Sequence, residues 1–71
     1  VKHINRLRVL RAGSKRRWTQ HDLALRVGMT QSRYWLIENG YKAATPVEQR
    51  RIARALRVDV AEAFPSQAMA S

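Results

Sequence analysis

Few side chains of this 71-residue sequence could do chemistry, and most of the usual catalytic sets are missing from it. There is no cysteine, which removes thiolate nucleophiles, disulfides and cysteine zinc sites together. Two histidines, His3 and His21, do not by themselves make a metal site. His21 and Asp22 are adjacent, and on a helix neighbours project on different sides, so no Ser–His–Asp relay is implied. The chain therefore reads as a non-enzyme, with no catalytic residue, metal or cofactor expected. What remains is hydrogen-bonding and cationic chemistry. Fourteen Lys and Arg stand against five Asp and Glu, a formal net charge of +9, and eleven of the basic residues are arginine. Such an excess points to a polyanionic partner, nucleic acid first and an acidic membrane surface second. Gln31 adds a reading group: an amide that donates and accepts together can pair with the N6 and N7 edge of adenine.

The stretch that positions Gln31 runs from Gln20 to Gly40. It reads as two short helices, about 20–27 and 31–39, joined by a tight turn at Val27-Gly28-Met29. Gly28 sits where the first helix must stop and the backbone needs positive φ. Leu23, Ala24, Val27, Met29, Tyr34 and Ile37 would turn one apolar side of each helix toward the other, with Ala24 small at their crossing. Thr30 is placed to cap the second helix and Gly40 to end it. A pair of this kind lays its second helix in a DNA major groove, N-terminal turn first. The base-reading candidates are then Gln31 and Ser32, followed one turn later by Trp35 and Leu36. Thr30, Arg33, Asn39 and Lys42 become candidates for phosphate contact.

The remaining residues supply a frame. Ile4, Leu7 and Leu10 recur at helical spacing and predict a first helix over about 4–12, after a loose lead-in at residues 1–3. Lys15, Arg16 and Arg17 form a basic loop, read either as a further phosphate contact or as a solvated turn. Trp18-Thr19-Gln20-His21-Asp22-Leu23 has capping-box and hydrophobic-staple spacing, which makes Trp18 a core anchor before a base-stacking platform. Thr45-Pro46-Val47-Glu48 is a second start signal, for a helix to about Arg57. Asp59 and Glu62 repeat the spacing before a short helix ending near Phe64. The expected fold is all-α: a compact bundle of four to five short helices around a central helix-turn-helix. Residues 1–64 form one domain, with its core at 20–40, and 65–71 a disordered tail.

Gln20, Leu23-Ala24, Val27-Gly28-Met29-Thr30, Ile37 and Glu38-Asn39-Gly40 resemble the helix-turn-helix of phage lambda repressor/Cro-like (XRE-like) DNA-binding domains. The similarity continues through Ile52-Ala53-Arg54-Ala55-Leu56 and Val58 to Phe64 and spans about residues 4–64. The resemblance implies that Gln31 and Ser32 read bases, and that Gln20 bonds a phosphate and buttresses the reading glutamine. It also implies that Glu38 pairs with Arg11 on the first helix, a structural ion pair that hides the carboxylate from DNA. Three departures stand out. Trp35 and Leu36 occupy positions where relatives often carry small or polar residues, and would contact thymine methyls or pack instead on a partner or on the long loop. Gln49 replaces a buried aliphatic residue, and Ala63 a leucine.

The expected function is sequence-specific binding of double-stranded DNA by a transcriptional regulator, a repressor. One helix covers only a half-site, so a homodimer on a palindromic operator is expected, its two reading helices about 34–36 Å apart. The rival reading is a helix-turn-helix used to bind another protein, as in antitoxins or coactivators, with Trp35 and Leu36 as its feature. A helix on acidic lipid is disfavoured because no helix pairs a strong apolar face with a basic one. RNA binding lacks an aromatic sheet or GXXG loop. No apolar run reaches transmembrane length, and a cytoplasmic, nucleoid-associated location is expected.

Overall fold

In the computed structural model, which describes residues 3–65, the chain forms five helices and, among those residues, no strand. They are α1 (Leu7–Gly13), α2 (Gln20–Arg26), α3 (Gln31–Glu38), α4 (Pro46–Leu56) and α5 (Val60–Ala63). Threonine opens three of them. The hydroxyls of Thr19, Thr30 and Thr45 accept from the amides of Asp22, Arg33 and Glu48 respectively, each satisfying one donor that a helix start leaves unpaired. At α4 the capping box is complete, because Glu48 Oε1 also accepts from the Thr45 amide at 2.8 Å, with Pro46 just inside the helix. At α5 the predicted box does not form: Asp59 is the N-cap but makes no side-chain capping bond.

The first helix begins later than its apolar spacing predicts. Ile4 is 65% exposed, and the backbone before Leu7 pairs across the fold instead of within a helix. The His3 amide donates to the Gly40 carbonyl at 2.8 Å and the Arg6 amide to the Ala63 carbonyl at 3.0 Å. Asn5 completes the change: its Oδ1 accepts from the Leu7 amide while its Nδ2 donates to the Ile37 carbonyl at 2.7 Å. These bonds pair, across the fold, amides that a helix start would leave without an intrahelical partner, and of the expected lead-in His3 is tied down. Val1 and Lys2 lie outside the described residues, as do residues 66–71 of the expected tail; Pro65 is half-buried.

The turn between α2 and α3 is as the glycine implies. Gly28 has φ +77°, and Met29 N donates to the Ala24 carbonyl, carrying the chain back across the end of α2. Ala24 is buried, as is Leu23, and together with Val27, Tyr34 and Ile37 they fill the space between the two helices. α4 closes this layer with Ile52, Ala53 and Leu56 inward, and ends at Arg57 in a left-handed conformation, φ +59°. Phe64, fully buried beyond α5, and Leu7 of α1 complete one core. Trp18 joins it, as an anchor before α2. Each of the larger side chains contributes on the order of 1.5–3 kcal/mol by burial. Gln49 is half-buried and donates to the Ala44 carbonyl at 3.0 Å, so its amide is satisfied where an aliphatic group was expected.

Candidate nucleic-acid interface

α3 is held at both ends, and the manner of holding decides which of its side chains are left to face a ligand. At its C-terminal end the Glu38 carboxylate is fully buried and accepts from Arg11 Nε at 3.1 Å and Nη2 at 3.0 Å. The third guanidinium nitrogen of Arg11 donates to the Trp18 carbonyl at 3.0 Å, so one planar group ties α1, α3 and the entry to α2. This is the expected ion pair. Burial is the largest single influence on Glu38 and opposes its charge, but the hydrogen bonds from Arg11, Tyr34 and Gln20 and the charge of Arg11 together outweigh it and hold the carboxyl below its usual range. Arg11 is pushed up by its hydrogen bonds to Glu38, against its own partial burial. The Tyr34 hydroxyl is buried beside the pair without a hydrogen bond of ordinary geometry. Desolvation first, and then the neighbouring carboxylate, push it far up, so it stays neutral.

The N-terminal end is held from α4. Arg33 donates through Nε at 2.6 Å and Nη2 at 2.8 Å to the two oxygens of Glu48, a bidentate fork fifteen residues apart in sequence. The hydrogen bond from Arg33 lowers Glu48 to about 2, with desolvation opposing and the Thr45 amide assisting. Arg33, expected to reach a phosphate, has two of its nitrogens committed to the fold because α4 brings a carboxylate under it.

Two other phosphate candidates are drawn inward in the same way. Gln20 is half-buried and its Nε2 donates to Glu38 Oε1 at 3.4 Å. Asn39 caps the end of α3: its Nδ2 donates to the Trp35 carbonyl at 2.9 Å and its Oδ1 accepts from Arg8 Nη2 at 2.8 Å. Thr30 and Lys42 are exposed, the former with its oxygen accepting from the Arg33 amide. The basic loop goes elsewhere. Lys15 and Arg16 line a cleft with Arg26, Arg54 and Arg57 to which α3 contributes nothing. Arg17 is exposed at φ +53°.

Between its clamps α3 presents the four base-reading candidates together. Gln31 and Ser32 are exposed, Trp35 is 43% exposed and Leu36 is half-buried. The four line one shallow concavity of about 370 Å³. Sequence reasoning left out Tyr41. Its ring lies against Trp35 with centroids 5.7 Å apart and planes at 22°, so the exposed tryptophan rests on a second aromatic. No local signal marks Tyr41, because the contact depends on how the chain turns after Gly40. Asn5 and Arg8 were missed likewise, although Asn5 two residues before Leu7 has the spacing of a local cap.

The site thus offers an amide, a hydroxyl and an apolar aromatic edge on one helix, with the only buried carboxylate on that helix already neutralised by Arg11. Among the described residues no helix is long and apolar enough to cross a membrane, and no cluster of metal-binding side chains occurs. The profile of a helix-turn-helix domain family matches residues 5–63. No curated protein matches the chain.

Proposed function

This chain belongs to the helix-turn-helix domain family, of the lambda-repressor-like type, and from that premise we propose that it binds a specific double-stranded DNA sequence on behalf of a transcriptional regulator, a repressor. α3 lies in the major groove, with Gln31 reading adenine, Ser32 positioned beside it, and Trp35 and Leu36 meeting the methyl groups of thymine. The observation that carries this reading is the selective exposure on α3: Gln31, Ser32 and Trp35 face outward while Arg33, Glu38 and Asn39 are bonded within the fold. Thr30, Lys42 and Arg17, with the free amides at the starts of α2 and α3, supply contacts to phosphate. Gln20 acts from behind, through Glu38, more than on the backbone of the duplex. The domain is a binding element and not an enzyme, works as a homodimer on a palindromic operator, and acts where the DNA is, in the cytoplasm at the nucleoid.

A binding titration against a random duplex library at two salt concentrations, wild type beside Gln31→Ala, tests this. The expected outcome is a short enriched palindrome that relaxes at one adenine position in the variant, with affinity falling steeply as salt rises. Salt-sensitive binding with no enriched sequence would leave a nonspecific binder. Absence of duplex binding at low salt would sink the reading and favour the rival, a protein-interaction module. The exposed Trp35–Tyr41 stack is the observation that supports that rival.

A further inference from the structure

Five arginines not used by α3, Arg16, Arg26, Arg51, Arg54 and Arg57, gather on another surface. Lys15, Arg16, Arg26, Arg54 and Arg57, from the α1–α2 loop, the end of α2, and the last turn and C-cap of α4, wall a cleft of about 640 Å³. Trp18, Ala55 and Leu56 form its floor, and Arg16 lies over the Trp18 ring at 4.1 Å. Arg26 and Arg54 continue into an adjoining recess of about 320 Å³ that adds Arg51 beside Gly28. No carboxylate lines either cavity, and none of these basic groups makes an ion pair among the described residues. Like charges crowded in a cleft repel one another and raise the local positive potential until a counter-charge enters.

We propose that this cleft is a docking site for an acidic segment of a partner protein, one carrying carboxylates for the arginine walls and an apolar side chain for the floor. Guanidiniums bind carboxylates bidentately, and a cleft of several hundred Å³ with mixed lining takes a few side chains. Trp18 and Leu56 are each only 7% exposed and Ala55 is half-buried, so the floor is a narrow apolar edge, one that a side chain can cover and a phosphate cannot. A second copy of this chain does not fit by charge: of five carboxylates, Glu38 and Glu48 are already paired and the other three are scattered over the starts of α2 and α5. The cleft shares no residue with the concavity on α3, so partner and duplex occupy different surfaces. This inference does not rest on DNA being the ligand of α3.

The test is fluorescence anisotropy at near-physiological salt, using a labelled twelve-residue peptide of Glu and Asp with two leucines. Its leucine-to-serine analogue is the control for the floor. Arg54→Glu is expected to weaken the peptide at least tenfold, and Arg6→Glu, the same charge change on an exposed residue outside the cleft, no more than twofold. The serine analogue should bind several-fold more weakly than the leucine peptide. Arg54→Gln, which keeps a good helix former in α4, should show a smaller loss of the same kind and guards against misfolding. Equal losses in Arg54→Glu and Arg6→Glu would reduce the effect to net charge and overturn the proposal. So would failure of the peptide to bind, or its displacement by a duplex with Arg54→Gln losing duplex affinity in parallel, which would make the cleft part of the DNA surface.

Discussion

Each end of α3 is closed by a bidentate arginine–glutamate pair, yet the two pairs sit in different surroundings. Arg11–Glu38 is inside: the glutamate side chain is 0% and the arginine 19% exposed. Arg33–Glu48 is at the rim, 35% and 17% exposed, and its glutamate also closes the capping box of α4. The same chemistry therefore does two jobs. The inner pair is costly to break because either partner left alone keeps its desolvation and loses its counter-charge. The outer pair is partly screened by water, and its value lies in the direction it gives to Arg33 and in the helix start it shares. Together they fix the helix while removing Arg33 and Glu38 from contention for a ligand.

Removing the inner carboxylate should have the largest effect. Glu38→Ala leaves Arg11 half-buried without its partner, and a loss of about 3 kcal/mol is expected, read from the denaturant midpoint. A core of this size rarely supplies more than about 3–5 kcal/mol in total, so the variant should keep no more than about 2 kcal/mol and unfold at a much lower denaturant concentration. A loss under about 1 kcal/mol would mean that the two pairs are equivalent. Glu48→Ala removes both the outer pair and half of the capping box and should cost about 1–2 kcal/mol. Glu48→Gln separates these contributions, since a glutamine oxygen can still accept from the Thr45 amide, and should cost less than about 1 kcal/mol.

Acid titration sharpens the comparison further. Glu48 has a folded pKa of about 2 against an ordinary value of 4.5, so between these values the unfolded chain binds more protons than the native one. Stability from the outer pair is thus whole above about pH 4.5 and is lost as the pH falls toward 2. The stability difference between wild type and Glu48→Gln, followed by urea unfolding, should shrink across that window; a difference independent of pH would rule out the ion pair as its source. Glu38, also lowered, acts in the same direction.

The smallest effect is expected between the clamps. Trp35→Ala touches no core residue and should leave the thermal midpoint nearly unchanged. Loss of one thymine methyl contact should cost about 0.8 kcal/mol in duplex binding, roughly fourfold. An unchanged duplex affinity would assign the Trp35–Tyr41 stack to another partner.

Much of this was legible in advance because it is local. A threonine three residues before the amide it caps, a glycine at the one turn position needing φ +77°, and a 3.6-residue apolar repeat act within a turn or two of chain. Neighbours along the sequence are enough to determine them, and they were sufficient to place α2, α3 and α4 and to set Gln31 and Ser32 on the exposed first turn of α3. Only the packed molecule decided which long polar side chains were free to reach outward. Arg33 meets Glu48 across 15 residues, Gln20 meets Glu38 across 18 and Arg8 meets Asn39 across 31. Tyr41 meets Trp35 because of the way the chain leaves Gly40, and Lys15 joins Arg54 because α4 ends beside the first loop. A flexible cationic side chain has several partners within reach in the unfolded chain. The crossing of the helices selects one, and that selection is a property of the tertiary structure alone.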